Sequence, residues 1–120
     1  MFYIHWKLEP GVSAALPGGY AERAAYVAVG EAEMDGQVVK AGEMAIFAAG
    51  KPAVVKAVPS SRTPAIVMAL GGEPLGPRFI EWNFVSSRRE RIEQAKADWR
   101  ARRMKLPDLD DQEFTPLPGG

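Results

Sequence analysis

Apolar and polar residues alternate from the second position of the chain. Phe2, Ile4, Trp6 and Leu8 share one parity and Tyr3, His5 and Lys7 the other, the period-two pattern of a strand with one buried face. The turn clusters Glu9-Pro10-Gly11 and Leu16-Pro17-Gly18-Gly19 leave room for only a short second strand within Val12 to Leu16. Further extended runs are Ala24 to Val29, Glu31 to Met34, Gln37 to Val39, Met44 to Phe47, Val54 to Val58 and Ala65 to Leu70. They are separated by Gly30, Asp35-Gly36, Ala41-Gly42 and Ala49-Gly50-Lys51-Pro52. Asp-Gly between two extended runs predicts a two-residue hairpin, since both central residues need positive φ. Short strands recurring about every ten residues with turn signals between them predict an all-β sandwich or barrel.

The pattern changes after Leu70. Gly71-Gly72-Glu73-Pro74-Leu75-Gly76-Pro77 is too rich in Gly and Pro for a regular element and reads as a tight crossing; Phe79 to Val85 reads as one further strand. Ser87 and Glu90 have the spacing of a capping box, so a helix is expected from about Arg88 to about Met104. Ile92, Ala95 and Trp99 form its narrow apolar stripe. Pro107 stops it, and Leu106 to Gly120 reads as an extended acidic tail with Asp108, Asp110, Asp111 and Glu113. The division expected is a barrel over 1–85, with the helix and tail of 86–120 packed on the same domain.

With 120 residues, 47% of them apolar, the chain suits a single core, and its formal net charge of zero draws it to neither nucleic acid nor an anionic membrane. The absence of cysteine removes disulfides, thiolate metal sites and cysteine nucleophiles, and suits the cytoplasm. No stretch approaches the roughly 20 apolar residues that a helical membrane crossing needs.

Several runs together resemble the C-terminal half of the pirin family, whose members are built from two cupin barrels. They are Glu22-Arg23-Ala24-Ala25-Tyr26-Val27 leading to Gly30, Asp35-Gly36-Gln37, Ala41-Gly42-Glu43-Met44, Gly71-Gly72-Glu73-Pro74-Leu75 and Trp82-Asn83-Phe84-Val85-Ser86-Ser87, followed by Arg91 to Ala95 and Asp98-Trp99. The resemblance implies a cupin-type antiparallel β-barrel, jelly-roll-like, with one C-terminal helix and a tail. It also implies that the family's metal centre, two histidines from one motif with a histidine and a glutamate from the next, belongs to the N-terminal cupin. Registering Tyr26 and Gly42 on the family's motifs puts the four ligand positions at Leu16, Gly18, Val55 and Ala57, none of which can coordinate metal. No metal ligand and no cofactor is therefore assigned.

The remaining candidates each carry a bland alternative. His5, the chain's one histidine, reads as a strand residue without a catalytic role, because a single imidazole cannot make a His-rich site. Glu22, beside Tyr20, Arg23 and Tyr26, reads first as one half of a surface ion pair with Arg23 or another base, and second as an acid at the barrel mouth. Glu43 reads as a solvated turn residue. From Arg88 to Lys105 eight basic residues face three acidic ones, which reads as a solvated helix offset by the acidic tail.

Three functions compete on this basis. The first is a non-catalytic binding or assembly module, either a homodimer or the companion of a second cupin domain. The second is a cofactor-free small-molecule site inside the barrel, lined by Trp6, Tyr20, Glu22, Tyr26 and Met68. The third is the metal-dependent, quercetin-cleaving dioxygenase that the resemblance suggests and the four positions oppose.

Overall fold

The computed structural model describes residues 1–104 and 114–119. Its elements are β1 (Phe2–Leu8), β2 (Ser13–Ala15), β3 (Glu22–Val29), β4 (Glu31–Met34), β5 (Gln37–Lys40), β6 (Met44–Phe47), β7 (Val54–Ala57), β8 (Ala65–Gly72), β9 (Phe79–Glu81), β10 (Phe84–Ser86) and α1 (Arg89–Arg100). They fall into two compact units, Met1–Pro74 and Leu75–Gly120.

The first unit is built from two four-stranded antiparallel sheets. One has the order β1-β8-β3-β6 and the other β2-β7-β4-β5. Strand parity decides what each sheet buries. From the first sheet Leu8, Ala25, Val27, Phe47, Ala65, Val67 and Ala69 enter the core, and from the second Ala32, Met34, Val39, Val55 and Ala57, joined by Leu16 and Ala53 from the loops. Val27, Val55 and Val67 are its largest fully buried side chains. Small inner residues let the two sheets close on each other, and each buried methylene contributes about 0.8 kcal/mol to holding them there.

Two turns between strands depend on unusual backbone. Asp35 (φ 49°) and Gly36 (φ 73°) form the expected hairpin, with Met34 opposite Gln37. At Gly30 (φ 77°) the chain passes from one sheet to the other, and a Cβ there would lie 2.9 Å from the Pro64 carbonyl oxygen, so only glycine fits. Just before it, a register shift between Val27 and Val29 turns Val29 outward beside Ile66.

In the second unit the structure departs from expectation at both ends of the helix and before it. Phe79 to Val85 is not one strand: β9 and β10 pair antiparallel with Glu81 opposite Phe84, because Trp82 turns the chain at φ 52°. This hairpin belongs to the same compact unit as the helix.

The capping box does not form. Arg88 is the N-cap and receives no side-chain cap bond; its own N–H donates to Ser86 Oγ (3.1 Å), and Glu90 pairs with the Arg88 side chain at 2.6 Å. At the other end Arg102 N–H donates to Trp99 O and Arg103 N–H to Asp98 O, a Schellman closure with Arg102 itself left-handed at φ 56°. The helix therefore stops at Arg100 and does not reach Met104. The Asp108, Asp110, Asp111 and Glu113 tail expected to offset its charge lies outside the described residues.

Around α1 an aromatic cluster takes the place of an aliphatic core. The Trp82 and Trp99 rings meet edge to face at 5.2 Å, Phe114 stacks on Trp99 at 5.4 Å, and Arg102 lies 4.5 Å from the Phe114 ring centre. Trp99 Nε1 donates to Thr115 O at 2.8 Å, and Ile92 is buried. Lys96 fastens helix to hairpin by donating to Glu81 Oε1 at 2.6 Å, and that bond, followed by one to Glu93, raises its pKa. Asp98, accepting first from Arg103 and then from Gln94, is held below the ordinary carboxylate value.

Candidate functional site

The five residues expected to line one interior site do not converge. Trp6 packs against the core from the inner face of β1. Tyr26 and Met68 alternate with Ala25, Val27, Val67 and Ala69, and since those four point inward, these two point outward. Tyr20 is half-buried and Glu22 is exposed. The space between the sheets is filled by the apolar core, which leaves the expected interior pocket without a lining.

Two other features emerge. The first is the outer face of the β1-β8-β3-β6 sheet. Strand register places Tyr3, Leu70, Ala24 and Ile46 in one row across all four strands. It places His5, Met68, Tyr26 and Met44 in the next. Seven of these eight positions are Ala, Leu, Ile, Met or Tyr, and Ile46 is 82% exposed, Tyr3 66% and Met44 52%. His5 is thus a strand residue facing solvent within an apolar face, in keeping with its parity.

The second feature is an open depression of about 560 Å³ lined by Gly18, Gly19, Tyr20, Ala21, Arg23, Ala49, Gly50, Lys51, Pro52 and Glu73. The Tyr20 ring is held edge-on to Phe2 at 5.0 Å. Phe2 in turn lies over Gly71, where a Cβ would come within 2.5 Å of the ring. Glu73 Oε1 accepts from the Ala21 N–H at 3.3 Å.

Arg23 corrects a second expectation. It makes no surface pair with Glu22 among the described residues; it shares the inward parity of Ala25 and Val27 and is 5% exposed. Its Nη2 donates to the carbonyls of Ala48 and Lys51. The sequence carried the signal, because Arg23 is in phase with residues whose apolar character marks the buried side of the strand. Glu43 is exposed as expected, and its carboxylate accepts from the Lys40 N–H at 2.9 Å, closing the turn.

At the four positions registered on the family's metal ligands, Leu16 (5% exposed), Val55 (0%) and Ala57 (1%) are members of the packed core, while Gly18 lines the depression. Hydrocarbon side chains in close contact offer no donor to a cation, so these residues do not fit the group and no chemistry is routed through a metal here. Among the described residues, no three His, Cys, Asp or Glu side chains gather in a way that could hold a metal ion. No helix among them is long and apolar enough to cross a membrane.

Two antiparallel sheets packed on an inner face of small apolar residues suit a cupin fold. A solved structure titled quercetin 2,3-dioxygenase from Acinetobacter baumannii superposes on 98% of this chain and 40% of its own, with TM-score 0.67 and 17% identity, a likeness of fold. A cupin domain of an XRE family transcriptional regulator from Enterobacter cloacae matches 60% of this chain and 82% of its own at 26% identity, with TM-score 0.48. The profile of the pirin C-terminal cupin domain matches residues 3–105. A pirin-like protein of Caulobacter vibrioides is 64% identical over 118 residues. The chain belongs to the pirin family, as its C-terminal cupin domain. It covers 98% of its own length in that comparison and 40% of the Caulobacter relative.

Proposed function

We propose that this domain is a non-catalytic assembly module, and that the outer face of the β1-β8-β3-β6 sheet pairs with the same face of a second copy. The supporting observation is the pair of apolar rows ending at Ile46 and Met44 on the edge strand β6. Residues of this kind, contiguous across four strands, leave apolar surface in water that association would remove. The rows carry no lysine, arginine or carboxylate, so two copies related by a twofold axis meet without like charges opposed. In the longer Caulobacter relative, chain outside the matched domain is an alternative occupant of the equivalent face.

Light scattering over a concentration series tests this reading. The wild-type chain should approach twice its 13.1 kDa mass at tens of micromolar, and Ile46→Lys should remain at the monomer mass. A wild-type monomer throughout that range would remove the proposal. The dioxygenase alternative would require stoichiometric metal in untagged protein, for which Leu16, Val55 and Ala57 supply no donor.

A further inference from the structure

Arg23 is 5% exposed as a residue, and an arginine so buried normally has a carboxylate beside it, because a buried charge without a counterion loses more in hydration than neutral carbonyls return. Arg23 has none among the described residues. Among the described residues Nη2 is satisfied by the Ala48 and Lys51 carbonyls, Nη1 makes no hydrogen bond, and Nε is the one buried side-chain nitrogen or oxygen without a partner. The surrounding fold holds this side chain where it lines the open depression, among Gly18, Gly19, Ala21, Gly50 and Pro52.

The geometry points to a binding site for a small organic carboxylate, with the Arg23 guanidinium as its counterion. With Nη2 held by two carbonyls and Nε buried, Nη1 is the donor left to a ligand, and a carboxylate oxygen accepting from it makes a charge-assisted hydrogen bond. The walls favour an apolar body attached to it, since Tyr20, Ala21, Ala49 and Pro52 surround the charge. Gly18, Gly19 and Gly50 keep the approach clear, and a Cβ built on any of them meets nothing within 4 Å. Glu73 is the opposing charge at the rim; its carboxylate is held by the Ala21 N–H and is not within ion-pair distance of Arg23. The site is separate from the apolar sheet face and does not depend on the assembly proposal.

Benzoate titrated into the full 120-residue chain, followed by amide NMR shifts, is the test. The amides of Gly18, Gly19, Tyr20, Ala21 and Gly50 should shift together and saturate, and benzyl alcohol, the neutral analogue, should bind about tenfold more weakly. Arg23→Met should melt cooperatively and lose about tenfold in benzoate affinity. If that variant does not fold, Gly18→Asp, which adds a carboxylate into open space without straining the backbone, should still weaken benzoate by about threefold or more. Shifts that do not saturate by tens of millimolar, equal binding of benzoate and benzyl alcohol, or unchanged affinity in folded Arg23→Met or in Gly18→Asp would each overturn the assignment. So would inorganic phosphate binding the same amides more tightly than benzoate.

Discussion

The two faces of the β1-β8-β3-β6 sheet have nearly the same chemistry and opposite surroundings. Inside, Ala25, Val27, Val67 and Ala69 are at 1% exposure or less; outside, Leu70, Met44 and Ile46 range from 39% to 82%. The difference lies in what stands opposite. The inner face meets a second sheet whose small side chains interdigitate with it, and the outer face meets nothing of comparable extent within its own unit. Apolar character therefore marks what a surface can bury, and only the fold shows whether it has done so.

The comparison is broken most severely from the inside. Val67→Ala removes two methyl groups from a fully buried site and should cost about 2–3 kcal/mol in urea unfolding, while Met68→Ala one position along should cost less than about 1 kcal/mol. Equal losses at the two positions would mean that the parity of β8 is misassigned. Gly71→Ala should cost about 2 kcal/mol, because its Cβ would lie 2.5 Å from the Phe2 ring and 2.6 Å from the Glu22 carbonyl oxygen, and adding Phe2→Leu should recover less than half of that loss, since the backbone contact remains. At protein concentrations low enough to keep both chains monomeric, Ile46→Lys should leave unfolding within about 0.5 kcal/mol of wild type, since in the monomer the side chain it replaces is in water.

The smallest effect comes from pH and serves as a control on the second unit. Asp98 has a lowered pKa, so the stability it contributes is present above the ordinary carboxylate value and lost as pH falls through its folded value. Lys96 has a raised pKa, so its contribution is present below the ordinary lysine value and lost as pH rises through the folded one. Helical circular dichroism should stay flat between about pH 5 and pH 9, and Asp98→Asn should flatten the acid limb further.

Much of the first unit was legible because alternation and turn chemistry agree there. Met44–Phe47 and Glu31–Met34 follow from apolar parity bounded by Gly, and Asp35-Gly36 fixes the hairpin between β4 and β5. The misreadings have physical causes. The runs Ala24–Val29 and Ala65–Leu70 are apolar at both parities, so hydrophobicity alone does not tell the inner face from the outer one that Tyr26 and Met68 occupy. At Arg23 the charge predicts a solvent position while the phase with Ala25 and Val27 predicts a buried one, and the phase prevails. The Phe79–Val85 run hid a turn because Trp82 adopts a left-handed conformation that bulky residues seldom take. The capping box failed because the helix begins one residue late, with Arg88 at the N-cap where Ser87 was expected.

Which face associates can be measured directly, because the chain contains no cysteine and a single introduced thiol reports on its own position. Ile46→Cys places a thiol on the apolar rows, and Val38→Cys places one at an exposed position on β5, in the other sheet. Thiol alkylation rates compared at low and high micromolar protein should fall about fivefold or more with concentration for Ile46→Cys and stay constant for Val38→Cys. Concentration-independent rates at both positions, or slowing at Val38→Cys alone, would contradict assembly through the outer face of the β1-β8-β3-β6 sheet.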